Sequence, residues 1–142
     1  MSPRDRQPTA SDLAACPCGR TAQGKALANA PCCGRFIDHW DAAAAPDAEH
    51  LMRSRYTAFV RENAAYLLAT WHASQRPPEL TFEPGAKWLG LQVKHFAATG
   101  SDTAEVEFVA RFRVAGRAVR LHERSRFVRE DGRWLYVDGD QF

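Results

Sequence analysis

The chain has 142 residues, 45% of them hydrophobic and 25% charged, which suits one compact globular domain with a small appendage. Its formal net charge of +2 gives no strong field, so composition alone predicts no polyanionic partner. No segment approaches the roughly 20 apolar residues of a membrane span, and the first residues lack the apolar core of a secretory signal, so we expect a cytoplasmic protein with no membrane partner.

The first fifteen residues are polar and are interrupted by two prolines, Pro3 and Pro8. Chain termini of this composition are seldom held by a core. We therefore predict a flexible leader over residues 1–15.

All four cysteines of the chain then fall in one window, as two close pairs: Cys16 with Cys18, and Cys32 with Cys33. Thiolates are soft ligands, and four of them suit a tetrahedral zinc ion with Zn–S bonds of about 2.3 Å. Four protein ligands leave no open position for water or substrate, so such a site is structural rather than catalytic. The pattern predicts a zinc-binding knuckle over residues 16–40.

Two other interpretations of the cysteines stay open at this point. One is a disulfide framework, although a bridge between the adjacent Cys32 and Cys33 would be strained and disulfides rarely persist in the cytosol. The other is a set of unrelated free thiols, which leaves the clustering unexplained. If zinc binds, nearby basic side chains could offset the charge of the four thiolates; the candidates are Arg20, Lys25 and Arg35.

Two helices are predicted after a short alanine-rich link over residues 41–46. Asp47 and Asn63 are typical N-cap residues, so we expect helices from Asp47 to about residue 62 and over residues 64–71. Apolar residues recur at helical spacing in both, which predicts a buried face on each. These residues are Met52, Tyr56, Phe59 and Val60, followed by Leu67, Leu68 and Trp71.

From residue 88 the hydrophobic pattern alternates, as it does in half-buried strands. Turn residues separate four such segments, which span residues 88–96, 105–114, 118–129 and 134–138. In the first segment the inward positions are Leu89, Leu91 and Val93. The Asp131–Gly132 pair before the fourth segment is a strong hairpin signal.

Helices that precede an antiparallel sheet indicate an α+β domain, which we place over residues 47–142. Neither element can hide its apolar surface alone, so the helices should pack on the apolar face of the sheet. The residues expected to meet there are Met52, Tyr56, Phe59, Leu68 and Trp71 from the helices and Phe108, Phe112 and Phe127 from the sheet.

Several segments of the chain resemble known families. The run Cys16-Pro17-Cys18-Gly19, followed by Cys32-Cys33-Gly34, is similar to the SEC-C motif, a small zinc knuckle also found at the C-terminus of SecA. Most of the chain after residue 15 resembles the YchJ family of bacterial proteins. The segments that carry this resemblance span residues 51–60, 69–72, 88–91, 107–111, 121–127 and 134–139.

The resemblance implies an N-terminal SEC-C knuckle on a nuclear transport factor 2-like domain, a curved antiparallel sheet wrapped by helices into a cone around a pocket. It also implies that the knuckle contacts a protein or ribosome partner. The stretch between the cysteine pairs is longer here than in the usual SEC-C motif. We expect a longer loop with the four ligands intact.

The polar candidates of the domain are Arg53, Arg55, Tyr56, His72, Glu107, Arg111, His122, Glu123, Ser125, Tyr136 and Asp138. If the cone binds a ligand, we expect its polar lining to come from Arg53, Tyr56, His72, Glu107, Arg111, His122 and Tyr136. Arg53 and Arg111 favour an anionic small ligand, since guanidinium pairs bidentately with carboxylate or phosphate. Alternatively, Glu107 and Glu123 neutralise both arginines in a structural network without a ligand.

The sequence assigns no catalytic residue, because no compact catalytic signature is present. Successive side chains of a strand point to opposite faces, so His122 and Glu123 cannot act together on one substrate atom. An acid–base pair would have to join different elements or strands, for example His122 with His72, or Tyr136 with Asp138.

Arginines are concentrated in the third strand, where Arg120, Arg124 and Arg126 share one face. That face could bind phosphates, or it could pair across strands with Glu105 and Glu107. No aromatic residues interleave with these arginines, which argues against a nucleic-acid platform.

The leading functional hypothesis is a cytoplasmic zinc-binding protein whose knuckle docks on another macromolecule and whose cone binds a small ligand or a peptide. The first alternative is an enzyme of the isomerase or dehydratase type in the cone pocket. The second is a ribosome- or nucleic-acid-associated factor that uses the arginine face. A pocket with two ionisable groups within hydrogen-bond reach would favour the enzyme.

Overall fold

A computed structural model describes residues 9–40 and 43–142. Short helical and strand segments come first, then two longer helices, then four long strands. In chain order these are α1 Ala10–Leu13, β1 Thr21–Ala22, β2 Lys25–Ala26, α2 Gly34–Ile37, α3 Ala48–Val60, α4 Ala64–Ala69, β3 Lys87–Ala98, β4 Thr103–Val114, β5 Arg117–Glu130 and β6 Arg133–Gln141. The order confirms the predicted α+β class, with helices packed on an antiparallel sheet.

Both predicted N-caps are present. The Asp47 carboxylate accepts a hydrogen bond from the backbone N–H of His50 at 2.8 Å, and the Asn63 side chain accepts one from the N–H of Tyr66 at 3.0 Å. Each bond satisfies a donor that the first turn of a helix leaves without an intrahelical partner. Helix α3 ends at Val60, slightly before the predicted end, and Glu62 just beyond it has a left-handed φ of 55°.

The four long strands form an antiparallel meander in the order β3-β4-β5-β6. Pairing shifts register between Trp88 and Gly90, between Val93 and His95, and between Arg126 and Phe127. Such bulges bend a strand and increase its twist. They give the sheet the curvature that lets it wrap around α3.

The first bulge corrects the predicted facing of β3. Leu89 was expected on the buried face, but it is 46% exposed. Leu91 and Val93 pack against the core as predicted, and Trp88 takes the place of Leu89, because the extra residue at the bulge breaks the simple alternation. Trp88 meets Tyr56 of α3 edge to face, with ring centroids 5.5 Å apart.

Helix α3 contacts β3, β4 and β6, as the apolar patterns predicted. Met52, Tyr56 and Phe59 face the same space as Phe108, Phe112 and Phe127 of the sheet. In α4 the prediction was wrong in detail. Leu67 is fully buried as expected, but Leu68 is only partly buried. The face of α4 that packs on α3 carries Leu67 and not Leu68.

The N-terminal segment is more ordered than the predicted leader. Residues 1–8 lie outside the described residues, but α1 follows them, and the Ala14 carbonyl accepts a hydrogen bond from the N–H of Asn29 at 2.8 Å. Ala15 forms an isolated antiparallel bridge with Ala28. Residues 9–15 therefore pack with the knuckle rather than forming a separate leader. Within the predicted link, residues 41–42 also lie outside the described residues.

One hydrophobic core connects the knuckle to the cone. It includes the four cysteines together with Phe36 and Ile37 of α2 and Leu51 of α3. Further along, Trp40 packs against Tyr66, with ring centroids 5.8 Å apart. Among the described residues, no helix has both the length and the apolar content needed to cross a bilayer.

Candidate metal centre and candidate ligand cavity

The four cysteines converge, and all four are buried and free of disulfide bonds. Their Sγ atoms all lie within 4.8 Å of one another, and those of Cys18 and Cys32 are 3.6 Å apart. Four sulfurs at the corners of a tetrahedron with bonds of about 2.3 Å would be about 3.8 Å apart. The donor set and its spacing therefore fit a metal ion that prefers thiolates.

Two glycines let the backbone turn around this cluster. Gly19, directly after the first pair, has a φ of 77°, which a residue with a Cβ rarely adopts. Gly34, after the second pair, is needed for a different reason, because an added Cβ would lie 2.8 Å from the Asn29 carbonyl oxygen. That oxygen accepts hydrogen bonds from the backbone N–H groups of Cys32 and Gly34.

The longer loop between the pairs leaves the four cysteines clustered. It folds into a small hairpin in which β1 pairs with β2, and all four strand residues are exposed. Its turn residues Gln23 and Gly24 both have positive φ, which is typical of a tight hairpin turn.

The thiols are close enough to share protons. Hydrogen bonds with the thiols of Cys18 and Cys33 lower the pKa of Cys16. Hydrogen bonds with Cys16, Cys18 and Cys32 raise the pKa of Cys33. Four negative charges at this spacing repel one another strongly, so the fully deprotonated cluster needs a cation at its centre.

Helix α3 supplies two polar contacts to the cluster, from residues one helical turn apart. The Thr57 hydroxyl lies 3.5 Å from the Sγ of Cys16, and the Arg53 guanidinium donates to the Cys18 carbonyl at 3.0 Å. Arg53 also pairs with Glu49 at 3.0 Å. The sequence placed Arg53 in the pocket, but it lies on the helix face that meets the knuckle.

The basic residues proposed to surround the cysteines behave differently from one another. Arg35 donates to the Cys32 carbonyl at 3.1 Å. Arg20 contacts His50, and Lys25 is exposed in the hairpin. Arg35 thus contacts a cysteine carbonyl rather than a sulfur, whereas a hydrogen bond from the backbone of Arg20 to Cys18 acts to lower the pKa of that thiol.

The second candidate site is a cavity of about 300 Å³ between α3, the segment after α4 and the sheet. Most of its wall is aromatic or aliphatic. The residues that line it are Met52, Arg55, Tyr56, Phe59, Trp71, Trp88, Phe108, Ala110, Phe112, Leu121, Glu123, Ser125, Phe127, Tyr136 and Gln141. Its volume is that of a small-molecule site.

Arg55 is the basic residue of this wall, and only 6% of it is exposed. Its Nη1 donates to the Leu67 carbonyl and to the Thr70 hydroxyl, both at 2.7 Å. The guanidinium carbon lies 5.1 Å from the ring centroid of Trp71 and 4.7 Å from that of Tyr136. Burial lowers the pKa of Arg55 to about 10, so the group is still charged at neutral pH.

Glu123 is the acidic residue of the wall, and it is 8% exposed. Its Oε2 accepts hydrogen bonds from the hydroxyls of Ser125 at 2.5 Å and Tyr136 at 3.3 Å. Burial, and then the charge of Glu123, raise the pKa of Tyr136, so its hydroxyl stays protonated and donates at neutral pH. Within the described part of the chain, no ion pair joins Glu123 to Arg55.

The close approach of Glu123 to Gly139 gives a stability prediction. A Cβ added at Gly139 would lie 2.7 Å from the Glu123 carboxylate, so Gly139→Ala should destabilise the fold by about 1–3 kcal/mol in urea denaturation. Gly90→Ala is the matched control, because nothing lies within 4 Å of the added atom there. Equal stability of the two variants would show that the Glu123 carboxylate is not held beside Gly139.

Three residues of the predicted lining, Glu107, Arg111 and His122, lie on the other face of the sheet. Phe108, Ala110 and Phe112 face the cavity, so the alternate residues of β4 must point away from it. His122 contacts Glu107 there, Nε2 to Oε2, at 2.8 Å. This hydrogen bond lowers the pKa of Glu107. Tyr56 and Tyr136 do line the cavity.

The acid–base pairs suggested by the sequence do not form. His72 bonds Glu130 at 2.6 Å, and His122 bonds Glu107. Tyr136 and Asp138 are separated by the bulge at Arg126 and Phe127, which sends them to opposite faces of the sheet. Asp138 pairs with Arg126 at 2.6 Å, away from the cavity.

The arginine face of β5 carries cross-strand ion pairs, as one of the two interpretations predicted. Arg124 pairs with Glu107 at 3.4 Å, and Arg126 pairs with Asp140 at 2.8 Å as well as with Asp138. The acidic partners come from both neighbouring strands rather than from β4 alone.

The predicted lining left out Arg55 and Glu123, although both were among the polar candidates. A signal for Glu123 exists, because it alternates with Leu121, Ser125 and Phe127 on one face of β5. Arg55 has no such signal. It shares a helix with apolar residues, but nothing local shows that this side of α3 is covered by α4.

The domain that encloses the cavity matches the family model described as "YchJ, middle NTF2-like domain" over residues 47–139. The chain belongs to the YchJ family. The match begins at the N-cap of α3 and ends within β6, so it spans the elements that build the cone. It confirms the resemblance seen in the sequence.

Relatives in this family match nearly the whole chain. A UPF0225 protein from Polaromonas sp. is 66% identical over 129 residues, which are 89% of this chain and 93% of the relative. A crystal structure of a SEC-C motif-containing protein from Psychrobacter arcticus has a TM-score of 0.78 and 28% identity, and covers 92% of this chain and 84% of its own. A solution structure of a SEC-C motif-containing protein from Rhodopseudomonas palustris has a TM-score of 0.77 and 28% identity. The match covers 91% of this chain and 99% of that protein.

Proposed function

We propose that this YchJ family member is a cytoplasmic zinc-binding protein whose cone is a receptor for a small ligand. The observation that carries the receptor role is the cavity of about 300 Å³ in which two buried charged groups, Arg55 and Glu123, interrupt an apolar wall. A cavity that served packing alone would be lined by apolar groups, since burying charges without full pairing is costly.

The zinc ion has a structural role in this proposal. Cys16, Cys18, Cys32 and Cys33 would hold it and complete its tetrahedron, which leaves no position for a substrate. The support is the buried cluster of four sulfurs and its contact with α3 through Thr57. The same chemistry supports the proposed cytoplasmic location, because the thiolates must stay reduced to bind metal.

The receptor role is tested by fragment screening, with ¹H–¹⁵N NMR on the indole groups of Trp71 and Trp88. We expect fragments that shift both signals in the wild type and fail to bind Ala110→Leu, because Ala110 is 1% exposed and lines the cavity. Ala118→Leu, on an exposed part of β5, is the control and should bind normally. Fragments that bind Ala110→Leu as well as the wild type would contradict a site in the cone.

One observation favours the enzyme as a second candidate. Glu123 and Tyr136 are two ionisable groups within hydrogen-bond reach in an apolar cavity, an arrangement suited to proton transfer. Each fragment that binds can be incubated with the protein in D₂O. Deuterium incorporation that Glu123→Gln abolishes would support an isomerase- or dehydratase-type reaction, whereas no incorporation into any bound fragment would favour a receptor.

Docking of the knuckle on a protein or ribosome partner stays a prediction. The hairpin of β1 and β2 is the surface it would use, because its strand residues are exposed while the cysteines are buried. The nucleic-acid alternative has less support, since ion pairs within the sheet already engage Arg124 and Arg126.

A further inference from the structure

Arg55 and Glu123, two buried groups of opposite charge, line the cavity but form no ion pair with each other. Arg55 uses Nη1 for both of its hydrogen bonds, and its Nε and Nη2 donate to no group in residues 9–40 and 43–142. Glu123 accepts both of its hydrogen bonds at Oε2, and Oε1 has no partner in the same residues. Arg55 Nε and Nη2 and Glu123 Oε1 retain some accessible surface, because the unpaired polar atoms that are completely buried belong to other residues.

Both groups lie at the same end of the cavity, because both contact Tyr136. Its ring centroid is 4.7 Å from the Arg55 guanidinium carbon, and its hydroxyl is 3.3 Å from Glu123. Ser125 and Tyr136 belong to β5 and β6, on one side of the sheet. The cavity therefore has a polar end at β5 and β6.

The other end is aromatic. Trp88 and Phe112 are partners on β3 and β4, with ring centroids 4.9 Å apart, and Phe59 lies 5.8 Å from Trp88. Aromatic rings at these distances form an apolar surface on which a ring or a branched chain can pack. The cavity is thus amphipathic along its length.

A further unsatisfied donor lies beside Arg55. The indole N–H of Trp71 is buried without a partner among the described residues, and the Arg55 guanidinium lies over the same ring. This N–H has no accessible surface, so the polar contacts offered to a ligand at this end come from Arg55 and Glu123.

We propose that the cone binds a small molecule with an apolar, ring-bearing body and a polar end that carries both a carboxylate and a hydrogen-bond donor. The carboxylate pairs with Arg55, and an adjacent hydroxyl or ammonium group donates to Glu123. This inference rests on the proposed receptor role and names the class of ligand. It retains the anionic ligand that the sequence suggested, but assigns it to Arg55 rather than to Arg53 and Arg111.

The charges of Arg55 and Glu123 disfavour the competing ligand classes. A phosphate dianion would meet one guanidinium but would be repelled by Glu123 at the same end of the cavity. A simple cation would pair with Glu123 and be repelled by Arg55. A purely apolar molecule would leave both groups unpaired. A monoanion with a neighbouring donor satisfies both at once.

Four matched probes test the inference by isothermal titration of the metal-loaded protein. 3-Phenyllactate carries acid and hydroxyl, 3-phenylpropionate only the acid, 1-phenyl-2-propanol only the hydroxyl, and propylbenzene neither. We expect 3-phenyllactate to bind tightest, and removal of either group to weaken binding by about tenfold or more, because each deletion leaves a buried polar group unpaired. Equal affinity for all four would overturn the ligand class while keeping the receptor role; binding of none would overturn both.

Variants then assign each polar group of the ligand. Glu123→Gln should reduce the advantage of 3-phenyllactate over 3-phenylpropionate, and Arg55→Lys the advantage of 3-phenyllactate over 1-phenyl-2-propanol, each by about tenfold. Glu107→Gln and Arg111→Lys, on the opposite face of the sheet, are the matched controls and should leave all four affinities unchanged. If the control pair changes the affinities as much as the cavity pair, the proposed polar end is wrong.

Discussion

Cys18→Ser is expected to abolish metal binding and to lower the melting temperature by about 10 °C or more. Cys18 is fully buried, and its sulfur lies 3.6 Å from that of Cys32 in the four-sulfur cluster. A serine hydroxyl is a poor ligand for an ion that prefers thiolates. Structural zinc contributes several kcal/mol of folding free energy. Each kcal/mol lost lowers the melting temperature of a domain of this size by about 4 °C.

The expected loss reaches beyond the knuckle. The cysteines share one core with Leu51 of α3, and Thr57 of the same helix contacts Cys16. Once the cluster opens, this side of α3 loses its cover. The amide signals of α3 should therefore broaden or shift in NMR spectra of Cys18→Ser, not only those of the knuckle.

Metal analysis under reducing conditions checks the prediction. The wild type should hold about one equivalent of zinc, and Cys18→Ser less than about one tenth of an equivalent. Lys25→Ser is the control, because Lys25 is exposed in the hairpin of the same knuckle and should leave both zinc content and stability unchanged. A wild type that holds less than about half an equivalent after exposure to zinc would contradict the site.

Leu67→Ala is expected to destabilise the protein by about 2–5 kcal/mol, the usual cost of emptying a buried leucine site. Leu67 is 0% exposed and lies in the core between the helices. Its carbonyl also accepts the hydrogen bond from Arg55 at 2.7 Å, so a shift of α4 would disturb the polar end of the cavity.

The neighbouring Leu68→Ala is the matched control. Leu68 has the same side chain in the same helix but is only partly buried, so Leu68→Ala should lower the free energy of unfolding by about 1 kcal/mol or less. Urea denaturation of both variants at one pH gives the comparison. A larger loss of stability for Leu68→Ala than for Leu67→Ala would show that α4 is rotated and that Leu68, which the sequence also placed inward, is the more deeply buried leucine.

Features that depend on a few adjacent residues could be predicted from the sequence. Asp47 and Asn63 cap helices because a short acceptor side chain reaches a backbone N–H within its own first turn. The alternation of Phe108, Ala110 and Phe112 directs β4 onto the core. Resemblance to the YchJ family extended these local predictions to the whole fold.

The site was less predictable because side chains from distant parts of the chain meet there. Arg53 and Arg55 are two residues apart, yet one contacts the Cys18 carbonyl and the other lines the cavity. Both look alike in the sequence, and only the packing of the knuckle and of α4 on opposite sides of α3 separates them. Glu107 failed as a lining residue for a local reason, because the alternation that turns Phe108 and Phe112 toward the cavity turns Glu107 to the other face.

The sequence by itself determined the four-cysteine cluster, the helix caps, the order of helices and strands and the family. Each of these depends on residue type and short spacing. Only the tertiary structure decided where β3 and β6 bulge, which leucine of α4 is buried, and which charges enter the cavity. A bulge of one residue reverses the facing of a strand, and the cover over a helix face comes from distant segments, so neither leaves a local pattern for the sequence to show.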